Sequence, residues 1–217
     1  MPLAPCPLTL DPFMTRVKIC GITNLEDALA ATDAGADALG FVFYRESPRH
    51  IFPEEAARII SLLPPFSQTV VLVVNEQPET VNESASLCSI DMVQLHGDEP
   101  PEQTSRLERR IIKAFRVRAL TCLEPMKDFT AAAFLLDAFS PSFYGGTGKA
   151  FNWEIAAEAV KRNPHIILAG GLTPENVADA VRQVRPFAVD VSSGVESAPG
   201  KKDHAKVREF IRNAKEA

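Results

Sequence analysis

The chain has 217 residues, of which 46% are hydrophobic and 24% are charged, so its length and composition fit one soluble globular domain with a sizeable core. Its formal net charge of −5 excludes the strongly basic balance of a nucleic-acid-binding surface, although a local pocket can still bind a small anion. The 4 cysteines form no CxxC pair, so we expect reduced thiols in a cytoplasmic protein. No apolar run approaches the roughly 20 residues of a membrane span. We therefore expect neither a nucleic-acid partner nor a membrane partner.

The Pro-rich start of the chain differs from the rest. Residues 1–14 contain no Lys or Arg and no uninterrupted apolar stretch, both of which a secretory signal requires. We expect residues 1–14 to be a disordered or non-essential leader and residues 15–217 to form one domain.

From Arg16 onward, short β-branched runs alternate with amphipathic helical segments. The runs predict strands at Arg16–Cys20, 38–44, 69–75, 91–95, 111–116, 133–137, 165–169 and 187–191. Helices are predicted at 24–33, from Pro53, from Pro78, at 100–109, weakly at 123–129, at 152–161, from Pro174 and at 203–214. Asparagine is a favoured N-cap residue and proline a favoured first-turn residue, which supports helix starts at Asn24, Pro53 and Pro78.

This alternation predicts the fold class. About eight strand–helix units in about 200 residues are typical of a small (β/α)₈ barrel. The strands are continuous apolar runs, as expected when both faces of a parallel sheet are buried. Doubly wound open sheets share the alternation, so the pattern favours the barrel without excluding the open sheet. We predict a single-domain α/β protein with the TIM-barrel architecture.

Two glycine-rich stretches each follow a predicted strand late in the chain. Gly170 and Gly171 lie in the first stretch, and Ser192, Ser193 and Gly194 lie in the second. Glycine lets the backbone approach an anion closely, and loops after the seventh and eighth strands of such barrels often bind phosphate. A single Gly-Gly pair would be explained by a tight turn alone, but two stretches on adjacent strands favour a phosphate site.

Cys20 ends the first predicted strand, immediately before Gly21 and a helix start. A lone cysteine is usually a small buried hydrophobic residue, and its position alone would favour that interpretation. However, active sites of these barrels lie at the carboxyl ends of the strands, and a nearby helix N-terminus lowers the pKa of a thiol. We therefore predict that Cys20 is reactive and that its pKa is lowered.

Asp137 ends the apolar strand that begins at Ala133. A carboxylate in this position is costly unless it is solvated or used, and the next helix is too distant for Asp137 to cap it. In a barrel, Cys20 and Asp137 would face each other across the mouth, which suits a base and an acid on opposite sides of a small substrate.

Three further polar residues follow or end predicted strands. Arg49 follows Ser47-Pro48 and is either a solvated surface charge or a clamp for a carboxylate. His96 is either a hydrogen-bonded structural histidine or a substrate contact. Asp190 would bind a ribose hydroxyl, brace the phosphate loop or be purely structural.

A set of motifs occurs in order along the chain: Lys18-Ile19-Cys20-Gly21-Ile22-Thr23, Gly40-Phe41-Val42-Phe43, Ser47-Pro48-Arg49, Val93-Gln94-Leu95-His96-Gly97, Leu136-Asp137, Tyr144-Gly145-Gly146-Thr147-Gly148-Lys149, Gly170-Gly171-Leu172 and Asp190-Val191-Ser192-Ser193-Gly194-Val195-Glu196. Together they resemble the phosphoribosylanthranilate isomerase family of the tryptophan pathway, from Val17 to the C-terminus. An ordered set of motifs is far more specific than any one of them.

The resemblance implies an Amadori rearrangement of N-(5-phosphoribosyl)anthranilate to 1-(2-carboxyphenylamino)-1-deoxyribulose 5-phosphate. By this resemblance, Asp137 protonates the ring oxygen to give a Schiff base, and Cys20 as thiolate then removes the proton from the second ribose carbon. Arg49 would hold the anthranilate carboxylate. Because the reaction only shifts protons, we expect no cofactor and no metal.

The resemblance also implies how the phosphosugar is held. Its phosphate would rest on backbone N–H groups near Gly171, Ser193 and Gly194. A mobile loop after the sixth strand would cover the substrate, with glycines Gly145, Gly146 and Gly148. Monomer and homodimer both remain open at this point.

Three alternatives differ in chemistry. A histidine-pathway-type aminoaldose isomerase resembles a two-aspartate design, with an acid where Cys20 stands. Indole-glycerol-phosphate synthase would require a lysine acid and an additional N-terminal segment. A phosphate-ligand-binding barrel without catalysis would not need Cys20, Asp137 and Arg49 together.

Overall fold

Eight parallel strands close into a barrel in chain order in the computed structural model, which describes residues 14–138 and 153–217. The ring is completed by pairing of the first strand with the eighth. The strands are β1 (Arg16–Cys20), β2 (Ala38–Val42), β3 (Gln68–Val73), β4 (Met92–Leu95), β5 (Arg110–Val117), β6 (Ala133–Ala138), β7 (Ile166–Leu168) and β8 (Ala188–Val191). The predicted (β/α)₈ fold is therefore confirmed.

Helices follow most of the strands and form the outer layer. They are α1 (Leu25–Asp33), α2 (Pro53–Ile60), α3 (Pro78–Leu87), α4 (Pro101–Thr104), α5 (Trp153–Arg162), α6 (Val177–Val184) and α7 (His204–Lys215). The Asn24 side chain accepts a hydrogen bond from the backbone N–H of Asp27, as an N-cap does, and the Asp203 side chain caps α7 in the same way. None of the helices in residues 14–138 and 153–217 has the length and apolar character needed to cross a membrane.

The segments after β4, β5 and β7 differ from the prediction. The helix expected at 100–109 ends at Thr104, because the residues beyond it bond to α3: Asn82 binds the backbone of Arg106 and Glu108. A 3₁₀ helix, Leu120–Asp128, replaces the weak helix expected at 123–129.

The helix expected from Pro174 begins three residues later, at Val177. The Asn176 side chain accepts from the N–H of Thr173 and donates to the carbonyl of Gly171. These bonds hold the connection after β7 as a turn before the helix starts.

An antiparallel hairpin between β8 and α7 was not predicted. It consists of β9 (Glu196–Ala198) and β10 (Lys201–Lys202), and a 3₁₀ turn, Ser193–Val195, precedes it. The hairpin is tied to the barrel where the backbone N–H of Lys202 donates to the Asp27 carboxylate in α1. It brings two charged side chains to the mouth of the barrel.

Side-chain alternation along the strands separates two cores. The outward-facing residues pack against the helices, as Val17 and Ile19 do in β1. The inward-facing residues form an apolar plug inside the barrel that includes Val70, Met92 and Leu135. Because side chains alternate with a period of two, the inward positions nearer the carboxyl ends are taken by polar side chains. Those buried residues are Lys18, Cys20, Gln94, His96, Asp137 and Asp190.

Candidate active site

One cavity lies at the carboxyl ends of the barrel strands, and every residue that the sequence predicted for the site lines it. These residues are Cys20, Arg49, His96, Asp137, Gly170, Gly171, Asp190, Ser192, Ser193 and Gly194. The remaining wall is mostly apolar and includes Val42, Leu72 and Leu172. The predicted glycines of the covering loop, Gly145, Gly146 and Gly148, lie outside the described residues. The fold thus brings the predicted residues together, while their chemical roles stay predictions.

Cys20 is the last residue of β1 and its side chain is almost fully enclosed. Gly40 in β2 makes room for it, because a Cβ there would lie 2.8 Å from the thiol sulfur. Burial raises the pKa of the Cys20 thiol, Lys18 and Lys202 oppose this by favouring the thiolate, and Asp190 adds to it. The predicted lowering of this pKa by the helix start is therefore wrong, because the loss of solvation is the larger effect.

Lys18 lies two residues before Cys20 in β1, on the same inward face of the strand. Its Nζ is 2.7 Å from Oδ1 of Asp190, and both side chains are buried. Burial by itself would lower the pKa of Lys18, but Asp190 and Cys20 outweigh it and raise the pKa, so this lysine stays charged. Asp190 therefore serves at least as the counter-ion of a buried ammonium group, and together they set the electrostatic surroundings of the thiol.

Asp137 shares its side of the cavity with His96 and Gln94. His96 Nε2 lies 3.4 Å from Oδ2 of Asp137, close enough for an ion pair but not aligned as a hydrogen bond. On the other side of the ring, Nε2 of Gln94 lies 2.8 Å from Nδ1 of His96. All three side chains are buried, so their interactions are little screened by solvent.

Arg49 is held at the cavity by Glu196 of the unpredicted hairpin. Its Nε and Nη2 atoms donate to the two carboxylate oxygens at 2.8 and 2.7 Å. Burial by itself would raise the pKa of Glu196, but Arg49 and Lys202 together lower it, so the carboxylate is charged. This pair uses two of the five N–H groups of a guanidinium, and the others remain available to a carboxylate ligand.

Lys202 connects this ion pair to the loop after β8. Its Nζ donates to Glu196 Oε1 at 3.0 Å and to the carbonyl oxygen of Ser192 at 3.2 Å. Burial lowers the pKa of Lys202 even though Glu196 opposes that change. Lys202 also favours the thiolate form of Cys20. This one lysine therefore acts on Glu196, on the Ser192 carbonyl and on the Cys20 thiol.

The two glycine-rich loops lie side by side on the cavity wall. Gly170 and Gly171 have φ values of 84° and 70°, in the left-handed region that favours glycine. A Cβ on Gly194 would collide with the carbonyl oxygen of Leu172, so glycine is what allows the loops to approach. The buried Ser192 hydroxyl has no hydrogen-bond partner within the described part of the chain. This wall suits an anion that accepts several hydrogen bonds.

Four residues of the site were not singled out from the sequence: Lys18, Gln94, Glu196 and Lys202. For Lys18 and Gln94 a signal exists, since each is a polar residue on the same strand face as a predicted site residue two positions later. Glu196 and Lys202 depend on the hairpin, which no periodic pattern indicates. Residues 14–138 and 153–217 contain no group of three or more His, Cys, Asp or Glu side chains that could hold a metal ion.

Comparisons with known proteins agree on one family. The family model described as N-(5'-phosphoribosyl)anthranilate (PRA) isomerase matches residues 17–213. An N-(5'-phosphoribosyl)anthranilate isomerase from Trichlorobacter lovleyi is 71% identical over 204 residues, which cover 94% of this chain and 100% of that protein.

Solved structures agree as well. A phosphoribosyl anthranilate isomerase in complex with reduced 1-(o-carboxyphenylamino)-1-deoxyribulose 5-phosphate has a TM-score of 0.84 and 46% identity, over 94% of this chain and 100% of that one. A structure described as generated monomers of the dimeric phosphoribosylanthranilate isomerase from Thermotoga maritima has a TM-score of 0.84 and 45% identity, also over 94% of this chain and 100% of that one.

Proposed function

Because the chain belongs to the N-(5'-phosphoribosyl)anthranilate isomerase family, we propose that its cavity rearranges N-(5'-phosphoribosyl)anthranilate, with Asp137 as the acid and Cys20 as the base. The product is 1-(2-carboxyphenylamino)-1-deoxyribulose 5-phosphate, in the tryptophan pathway. The observation that carries the two roles is that both side chains line one cavity, from β1 and β6, beside a wall suited to an anion.

Asp137 acts first, as a protonated carboxyl group. It gives its proton to the ribose ring oxygen while the bond between that oxygen and the first ribose carbon breaks. The nitrogen lone pair forms the new double bond, so the product of this step is an open-chain, protonated Schiff base. The carboxylate left behind faces the His96 ring at 3.4 Å, where an N–H group can stabilise the new negative charge.

Cys20 acts second, as a thiolate. It takes the proton from the second ribose carbon, the electrons of that C–H bond form a double bond to the iminium carbon, and the π electrons of the iminium group return to nitrogen to give an enolamine. The enolamine then tautomerises to the ketone, so no atoms or electrons are gained or lost overall. Lys18 and Lys202 favour the thiolate, and they partly offset the burial that disfavours it. A redistribution of protons of this kind requires neither a cofactor nor a metal.

The two anionic ends of the substrate are held apart. Arg49 binds the anthranilate carboxylate with the N–H groups that Glu196 does not use. The phosphate binds against the glycine-rich loops, near Gly171, Ser193 and Gly194. Their separation fixes the orientation of the ribose between Asp137 and Cys20.

The partner of this chain is a small phosphosugar, and nucleic acid is not a partner. The chain works in the cytoplasm as a monomer or a homodimer, and the Thermotoga maritima relative is described as dimeric. The family match does not support a histidine-pathway-type reaction, an indole-glycerol-phosphate synthase or a barrel without catalysis.

Purified protein mixed with freshly prepared N-(5'-phosphoribosyl)anthranilate tests the activity, because conversion of this substrate is followed by the loss of its fluorescence. We expect turnover in the ordinary enzymatic range of about 1–1000 per second. Binding of the substrate without any fluorescence change would indicate a barrel that binds phosphosugars without catalysis. Turnover of the histidine-pathway aminoaldose at a comparable rate would indicate the first alternative.

A further inference from the structure

Gln94 is a fully buried polar residue that the two proton-transfer steps do not use. Its exposure is 0%, and it lies in β4 on the same face as His96, two residues later. Its Oε1 atom has no hydrogen-bond partner within residues 14–138 and 153–217. Burying an amide that is only half satisfied costs free energy that an apolar residue at this position would not incur. The interaction that it does make is therefore the informative one.

That interaction determines where the His96 ring carries its proton. The structure places the amide nitrogen of Gln94, which can only donate, 2.8 Å from Nδ1 of His96, and in this arrangement Nδ1 is the acceptor. The ring proton then lies on Nε2, on the side that faces Asp137.

We propose that Gln94 is a positioning residue, which fixes the tautomer of His96 so that an Nε2–H group faces the acid Asp137. This N–H group stabilises the carboxylate that forms on Asp137 during proton transfer. This inference rests on the proposed role of Asp137.

Nuclear magnetic resonance of the ¹⁵N-labelled full chain tests the tautomer directly. Long-range ¹H–¹⁵N correlation separates a ring nitrogen that bears hydrogen from one that does not. Loss of one set of signals in a His96→Asn variant identifies the ring among the 4 histidines of the chain. We expect hydrogen on Nε2 and none on Nδ1 at neutral pH. Hydrogen on Nδ1, alone or on both nitrogens, would overturn the proposal.

Gln94→Glu reverses the interaction. Its carboxylate can only accept, so the His96 ring must place a proton on Nδ1, and we expect kcat to fall by at least about tenfold with a smaller change in KM. Gln103→Glu in α4, whose half-buried side chain does not line the cavity, makes the same change of charge and should leave both the ring signals and kcat unchanged. Gln94→Met removes the donor without adding a charge, and should give a mixture of both tautomers and a smaller loss of kcat.

The two proposals fail in different ways. Wild-type ring signals and wild-type kcat in Gln94→Glu, or in Gln94→Met should the first variant not fold, would overturn the role of Gln94 alone. Wild-type turnover in Asp137→Asn would overturn the role of Asp137 as the acid, whereas the tautomer measured in the free enzyme would still report on Gln94.

Discussion

Burial and nearby charges have opposite effects on the fraction of the Cys20 thiol that is ionised. Burial disfavours the thiolate, while the ammonium groups of Lys18 and Lys202 favour it. Because burial prevails, the thiol is mostly protonated at neutral pH and the base form is a minor one. In the proposed role as base, the Cys20 thiolate would therefore be more strongly basic than that of an ordinary cysteine but present in a smaller fraction of molecules.

The first prediction concerns the pH dependence of Cys20. Since the thiolate is the base and its pKa is raised, kcat/KM should increase with pH with a midpoint above the ordinary thiol value of about 8.5. Alkylation of the free enzyme by iodoacetamide should show the same midpoint once the reaction of a Cys20→Ala variant is subtracted. A midpoint at or below the ordinary value would mean that burial does not control this thiol.

Lys202→Met provides a matched comparison for the same measurement. It removes one of the two cations that favour the thiolate, so the alkylation midpoint should move to still higher pH. Lys161→Met removes a charge from the exposed side of α5 and should leave the midpoint where it is. Equal midpoints in both variants would exclude Lys202 from the control of Cys20.

Individual site residues differed in how far they could be predicted. The positions of Cys20 and Asp137 at the cavity were predictable because each lies at the carboxyl end of a strand that the local sequence indicates. The partner of Lys18 is 172 positions away in the chain, so only the closed barrel reveals the pair. The raised pKa of Cys20 was missed for the same reason, because enclosure depends on residues from several strands.

The hairpin β9–β10 is the element that orients Arg49, the proposed binding group for the substrate carboxylate. It carries Glu196, which aligns the Arg49 guanidinium, and Lys202, which binds both Glu196 and the Ser192 carbonyl. A change in the conformation of the hairpin would therefore alter the positions of both Arg49 and the loop after β8. The sequence contains the residues of the hairpin, but two short strands of 3 and 2 residues have no period that a pattern can detect.

The second prediction tests this alignment with Glu196→Gln. The amide keeps the shape of the side chain but presents only one acceptor to the Arg49 fork, so KM should increase by about tenfold, equivalent to about 1.4 kcal/mol, with a smaller change in kcat. Steady-state kinetics with N-(5'-phosphoribosyl)anthranilate measures both constants. Glu209→Gln, on the exposed side of α7, is the control. An unchanged KM would show that Arg49 does not need Glu196.

The third prediction concerns the contact between the two glycine-rich loops. In Gly194→Ala the new methyl group meets the Leu172 carbonyl, so the loops must separate. Inhibition by inorganic phosphate, competing for the phosphate position, should weaken by at least about tenfold. Ser197→Ala in the hairpin should leave it unchanged. Wild-type inhibition in Gly194→Ala would mean that the phosphate binds elsewhere.

The closed barrel determines which side chains share the cavity. Pairing of β1 with β8 sets Lys18 beside Asp190 in register, and the carboxyl ends of β1, β4 and β6 bring Cys20, His96 and Asp137 to one space. The apolar plug, which includes Val70, Met92 and Leu135, packs inside the barrel.

The fold was predictable to the extent that it is periodic. Eight apolar runs separated by helices indicated the barrel, and most strand boundaries agree within two residues. Closure itself is a pairing between the first and last strands, which no local pattern encodes. The prediction of a helix over 100–109 was wrong because of another contact that is distant in the sequence. Asn82 in α3 binds the backbone of residues beyond Thr104 that would have continued the helix.

The decisive measurement is the single-turnover rate of Cys20→Ala and Asp137→Asn, each with N-(5'-phosphoribosyl)anthranilate and each shown to be folded by circular dichroism. If a thiolate and a carboxyl group transfer the protons across this cavity, each substitution should lower the rate by about two to four orders of magnitude, while the affinity for a non-reacting product analogue changes little. A rate close to that of the wild type in either variant would show that the residue in question is neither the base nor the acid.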